Sequence, residues 1–248
     1  MNSGAAIITG SAGSIGRAIC KVFKDAGYKV IGLDIEDQDS VEADERLHGD
    51  LVRFVADAEY RDSLLQAIRS AAGGTQIRVL CNNAAEQRLA GTENVTMTDW
   101  QASLDVNLTA PFLLTQSLVR DLESAGGSVI NIASIHARLT KPKFVAYATA
   151  KSGLIGLTKA LAVDLGGRVR VNAICPAAID SQMLREGFEG RSSSDLQLLH
   201  KCHPVGRIGQ PSEVAELALW LASPQASFVS GASYDIDGAI SSRLHDPA

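Results

Sequence analysis

Aromatic side chains are scarce: Phe, Trp and Tyr together make up 5% of the 248 residues. So few rings cannot line a long flat slot of the kind that grips a steroid, and a small polar ligand is the expectation. Long apolar runs are missing too. None approaches the ~20 residues of a bilayer-crossing helix, and no charged segment precedes the first apolar run, so no secretory leader is expected. Basic charge is not in excess: 23 Lys and Arg stand against 28 Asp and Glu, a formal net charge of −5, which offers nucleic acid no electrostatic footprint. Cys20, Cys81, Cys175 and Cys202 lack metal-ligand or redox-motif spacing, as do His48, His200, His203 and His245. Cys81 and Cys175 adjoin strand signals and read as small core hydrophobes. A reduced, cytoplasmic protein without a metal is expected, one that binds neither nucleic acid nor membrane. Internal repeats and long low-complexity segments are absent as well.

What the chain does have is strand–helix alternation from end to end. Short apolar runs at Ala5–Ile8, Lys29–Leu33, Leu51–Val55, Ile77–Cys81, Val129–Ile132, Val169–Ile174 and Ser233–Ile236 read as strands. Between them, helical spacing appears at Ile15, Ala18, Ile19, Val22 and Phe23, at Tyr60, Leu64, Leu65 and Ile68, and at Val214, Leu217, Ala218 and Leu221. Gly73-Gly74, Gly126-Gly127 and Gly166-Gly167 stand where helices should end. This pattern predicts an α/β, doubly wound parallel sheet, a Rossmann fold, and one domain over residues 1–248. The weakest pattern, about 181–203, predicts a mobile surface segment.

Two constellations carry chemistry. The first strand runs into Thr9-Gly10-Ser11-Ala12-Gly13-Ser14-Ile15-Gly16 and then a helix, an order that sets backbone N–H groups and a helix N-terminus against a pyrophosphate. Asp34 ends the second strand about twenty residues on, where a carboxylate hydrogen-bonds ribose hydroxyls and repels a 2′-phosphate. Neither Ile35 nor Glu36 supplies a compensating cation, and none lies inside the turn, so NAD is favoured over NADP. The second constellation is Tyr147 and Lys151, four residues apart and therefore on one helix face, with Ser134 at the end of the fifth strand. An ammonium beside a phenol favours phenolate and lowers its pKa from about 10, which suits proton exchange with a substrate oxygen.

These motifs, in this order, resemble the short-chain dehydrogenase/reductase family over nearly the whole chain. Thr9, Gly10 and Gly16 match its glycine motif, with Ser14 for the middle glycine. Asn82-Asn83-Ala84 matches Asn-Asn-Ala-Gly, with Ala85 for glycine, and Pro176 matches its Pro-Gly, with Ala177 for glycine and Ser181 for threonine. Gly206-Arg207-Ile208-Gly209-Gln210-Pro211 and Asp237-Gly238 look like the family's C-terminal segments. The resemblance implies hydride transfer between NAD and a secondary alcohol or ketone, with Tyr147 as general acid/base and Ser134 orienting the substrate oxygen. Lys151 would lower the phenol pKa and hold the nicotinamide ribose, and Asn107, on the family's fifth helix, would hold a water leading to Lys151. Gly10, Ser14, Ile15 and Gly16 would take the pyrophosphate, and Asp57 with Ala58, after the third strand, the adenine. Asn83 and Ala84 would line the adenosine, and Pro176, Ile179 and Ser181 the nicotinamide. The small replacements Ser14, Ala85, Ala177 and Ala239 raise the question whether the backbone keeps a positive φ there.

The resemblance further implies that residues 181–203 cover the substrate. It also implies a homotetramer, built on helices from about Trp100 to Glu123 and Val145 to Leu165. For the substrate itself, His136, two residues past Ser134, and Glu86, after the Asn-Asn-Ala segment, are the candidate contacts with Ser134 and Tyr147. A sugar or hydroxy acid is expected. The alternatives are an NADPH-dependent 3-ketoacyl reductase, which Asp34 argues against, an enoyl reductase, and an NAD-sensing binding protein without turnover.

Overall fold

A computed structural model describes residues 4–36, 39, 41–188, 190 and 192–244. His245, and Glu189 and Arg191 of the expected covering segment, lie outside the described residues.

Alternation within β1 (Ala5–Thr9) splits its side chains between two cores. Ala5 and Ile7 join one apolar cluster and Ala6 and Ile8 the other, all fully buried. A strand buried on both faces belongs inside a parallel sheet covered by two helical layers. The sheet has seven parallel strands in the order β3-β2-β1-β4-β5-β6-β7. The others are β2 (Lys29–Asp34), β3 (Glu45–His48), β4 (Ile77–Asn82), β5 (Ser128–Ile132), β6 (Arg170–Pro176) and β7 (Ser233–Ile236). On one face, α1 (Ser14–Asp25) lays Ile19, Cys20 and Phe23 against Val214, Ala215, Ala218 and Leu221 of α9 (Pro211–Ala222). The opposite face carries α3 (Ala58–Ala72), α5 (Ala110–Ser124) and α6 (Val145–Leu165). Each fully buried Ile, Leu or Phe here contributes about 1.5–3 kcal/mol. Gly73 and Gly166 end α3 and α6 with positive φ, as their spacing predicts.

The third strand corrects the sequence reading. Leu51–Val55 is not a strand but most of helix α2 (Leu51–Ala56), which Asp50 caps by accepting hydrogen bonds from the Val52 and Arg53 amides. The strand is the charged segment Glu45–His48 just before it, paired to β2 at the sheet edge. Asp57 and Ala58 therefore do not follow β3. Asp57 caps α3 through the Tyr60 amide, and the residues that do follow the strand are Gly49, Asp50 and Leu51.

After β3 the chain crosses back over β1 to place β4 on its other side. Ligands of such sheets settle at the carboxyl ends of the strands, where the winding reverses. Among the described residues no helix is long and apolar enough to cross a membrane.

Candidate active site

The glycine turn is pressed onto the loop after β4. The Thr9 hydroxyl accepts from the Asn83 and Ala84 amides, both at 3.0 Å, while the Asn83 carboxamide donates to the Thr9 and Gly10 carbonyls. Gly10 has φ +65°, and a Cβ there would meet Ala84 Cα at 2.6 Å. A Cβ on Gly16 would meet the Gly10 carbonyl oxygen at 2.0 Å. Both positions therefore need glycine. Gly13 opens α1 without a side-chain cap, so Ser14 and Ile15 begin a helix N-terminus free to meet an anion.

Asp34 closes over this turn. Its carboxylate accepts from the Ala12 amide at 2.7 Å and the Glu36 amide at 3.0 Å, which fixes one negative charge at the end of β2. Arg17, a cation the sequence reading did not weigh, folds back from α1, its Nε donating to the Ala12 carbonyl at 2.6 Å. On the far side of the turn, Ser14 Oγ accepts from the Gln182 amide at 3.1 Å. Gln182 begins α7 (Gln182–Gly187), which Ser181 caps through the Leu184 amide. Pro176 ends β6, and the buried Ile179 pairs with Gly209. The cofactor candidates apart from Asp57 and Ala58 thus lie at the carboxyl ends of β1, β2, β4 and β6 or in the segments that follow β1, β4, β5 and β6. Uncapped helix, open glycine turn and fixed carboxylate together suit a dinucleotide with free ribose hydroxyls.

Ser134, two residues past β5, is extended and buried, and Oγ accepts from the His136 amide at 3.2 Å. Tyr147, in the first turn of α6, is buried beside it. One helical turn on, Lys151 is 1% exposed; its Nζ donates to the Ile132 carbonyl at 2.7 Å and lies 5.7 Å from the centre of the Tyr147 ring. The three residues are brought together as expected, but the electrostatics are not. Burial pushes the phenol up to about 12, against a hydrogen-bonding pull downward from Ser134. Burial also drives the Lys151 ammonium down to about 7. In so dry a pocket each group resists charge, and an amine that is itself half neutral lends the phenol little help. The expected lowering of the tyrosine by Lys151 is absent from this geometry.

Asn107 sits in a π-helical stretch, Asp105–Thr109, between α4 (Met97–Leu104) and α5. Such stretches recur at functional sites because the wider turn re-aims a side chain. Here Nδ2 donates to the Ser103 and Glu86 carbonyls, each at 2.8 Å, and Oδ1 is buried with no partner. An orphaned buried acceptor calls for a water or a ligand atom. Glu86 offers Asn107 its carbonyl, while its carboxylate pairs with Arg88.

His136 stacks flat on Phe144, ring centres 4.1 Å apart, and presents its edge to Tyr147 at 5.9 Å. Its Nδ1 meets Thr140 Oγ1 at 3.1 Å. Burial, with Lys141 nearby, drives the imidazole pKa down to about 4. Phe144, absent from the sequence reading, is a wall of this pocket, with Lys141 Nζ 4.8 Å from its ring centre. Of the residues replacing glycine, Ala239 alone among the described residues takes positive φ (68°).

Residues 10–241 match the family profile described as "Enoyl-(Acyl carrier protein) reductase". A D-threitol dehydrogenase from Mycolicibacterium smegmatis is 34% identical over 241 residues, covering 94% of this chain and 91% of that one. The 3-oxoacyl-[acyl-carrier-protein] reductase FabG of Thermotoga maritima is 35% identical over 240 residues, covering 94% and 96%. Among solved structures, the ligand-free aldohexose dehydrogenase of Thermoplasma acidophilum superposes with a TM-score of 0.92 at 32% identity, covering 99% of this chain and 96% of that one.

Proposed function

The chain belongs to the short-chain dehydrogenase/reductase family, and on that premise we propose that it is an NAD-dependent oxidoreductase acting on a secondary alcohol or ketone of a small polar substrate. The observation that carries this reading is one sheet edge holding both the Asp34-anchored turn and the buried Ser134, Tyr147 and Lys151 group. When bound, NAD supplies the acceptor for the hydride that leaves the carbinol carbon.

The chain's own residues divide the remaining work. Asp34 takes the adenosine ribose hydroxyls, and Gly10, Ser14, Ile15 and Gly16 present the uncapped start of α1 to the pyrophosphate. Asn83 and Ala84 lie along the adenosine, and Pro176, Ile179 and Ser181 along the nicotinamide. The adenine edge falls to Asp50 and Leu51, because these follow β3. Ser134 receives the His136 amide on Oγ and turns its hydroxyl toward the phenol oxygen, where a substrate oxygen would join the pair. Tyr147 exchanges the proton with that oxygen. Lys151, tethered to the Ile132 carbonyl, keeps its other hydrogens for the nicotinamide ribose and for a water held on Asn107 Oδ1. The segment from about 181 to 203, held to the turn by the Ser14–Gln182 bond, covers the substrate.

The relatives named above act on a polyol, a ketoacyl thioester and an aldose by their names, so substrate range is open within the family. Asp34 argues for a polyol or aldose reading and against an NADPH-dependent ketoacyl reductase. A panel of alcohols assayed with NAD and with NADP, read by absorbance of the reduced nicotinamide, tests this. NAD is expected to be at least about tenfold better in kcat/KM, equivalent to ~1.4 kcal/mol, and Asp34→Ala should narrow the gap. Equal or better use of NADP would overturn the cofactor assignment. Silence across the panel would favour a binding protein.

A further inference from the structure

His136 holds a position that the hydride reaction does not require. Its ring is clamped by the Phe144 stack, its Nδ1 is taken by Thr140, and its edge faces Tyr147. That leaves Nε2 without a protein partner among the described residues, on a half-buried ring whose centre is 5.9 Å from that of the reacting phenol. We propose that His136 reads a second hydroxyl, on the carbon next to the reacting carbinol, and so selects a neutral vicinal diol or polyol rather than a hydroxy acid. The inference rests on the oxidoreductase reading and narrows its substrate class.

Three observations support the choice. The imidazole is held neutral, with its pKa near 4, so it offers a carboxylate no charge. The tautomer can follow the Thr140 hydroxyl, and Nε2 then either donates or accepts, which matches a hydroxyl, itself both donor and acceptor. Three of the nearby cations are engaged: Arg138 binds the Asp235 carboxylate, the Ser233 hydroxyl and the Ser233 carbonyl, Arg88 pairs with Glu86, and Lys141 lies over the Phe144 ring.

The test compares 2,3-butanediol, 2-butanol and 2-hydroxybutanoate with NAD, in the intact protein and in His136→Phe and His136→Gln. Phe keeps a ring for the stack and removes both nitrogens; Gln restores a donor and an acceptor. The ratio of kcat/KM for diol over monoalcohol should be about tenfold or more in the intact protein, the worth of one net hydrogen bond. It should collapse toward one in His136→Phe and recover in part in His136→Gln. Independently of turnover, the ring-nitrogen NMR signals of His136 should report a neutral imidazole down to pH 5.5 and shift when diol is added. A ratio unchanged by His136→Phe, or 2-hydroxybutanoate preferred over the diol, would overturn the proposal while leaving the oxidoreductase reading intact. No nicotinamide reduction with any alcohol of the wider panel would sink both.

Discussion

Replacing Lys151 by Met should make the cofactor-free fold more stable in mild acid, although it removes a residue assigned to catalysis. The ammonium is 1% exposed and its pKa is driven from the usual lysine range to about 7. Between about 7 and about 10.5 the unfolded chain holds a proton that the folded chain has released, so stability climbs with pH. Lysine's contribution is complete above the unfolded value and is lost as pH falls through the folded one. At ~1.4 kcal/mol per tenfold, the burial penalty is about 5 kcal/mol at pH 6 and about 2 kcal/mol at pH 9. Met escapes that penalty but strands the Ile132 carbonyl, which loses its donor at a cost of about 1–3 kcal/mol. The variant should therefore gain roughly 2–4 kcal/mol at pH 6 and almost nothing at pH 9. Urea unfolding followed by the fluorescence of Trp100 and Trp220, at one protein concentration, measures both. NAD affinity should fall in the same variant. A loss of stability at pH 6, or a difference that stays constant between the two pH values, would refute the picture of a desolvated amine.

Other outcomes follow from the same geometry. Tyr147→Phe removes only the phenolic oxygen, so NAD binding measured by calorimetry should persist while kcat drops at least ~10²-fold; retention of more than about a tenth of kcat would rule out the phenol as the acid/base. Ala239→Gly should stabilise the protein by about 1 kcal/mol, since Ala239 alone of the glycine replacements sits at positive φ among the described residues; an unchanged urea midpoint would show that the Asp237 contacts already absorb the strain. Light scattering at assay concentration should give the mass of a homotetramer, with α5 and α6, which exposes Val163, at the contacts; a fully active monomer would disprove the assembly.

Most strands that the sequence revealed are buried on both faces, where the apolar run stands out; β7, only half-buried, is the exception. Edge strand β3 escaped because Glu45, Arg46 and His48 leave no such run. The neighbouring Leu51–Val55 was misread since Leu51 and Phe54 are buried at helical spacing, a signal that Asp50 as an N-cap would have resolved. The same slip placed Asp57 after the third strand, where Gly49 and Asp50 in fact follow it. Tyr147, Lys151 and Ser134 were legible because local spacing and a strand end determine where they fall. The direction of the phenol's pKa was not, since it depends on how much water the packed neighbours exclude. The Asn107 π-turn and the Phe144 wall left no sequence pattern to read: a single wide turn has no spacing of its own, and Phe144 joins the pocket only through its stack on His136.

The Ser14–Gln182 hydrogen bond makes the order of events in a turnover a matter of competition. An anion at the start of α1 would meet a Ser14 hydroxyl whose oxygen already accepts from the head of α7, so the two would share that one side chain. Glycine at position 14 would offer no hydroxyl for the fastening. The serine thus ties the first residue of α1 to the first residue of α7, so whatever shifts one of these helix starts is felt at the other.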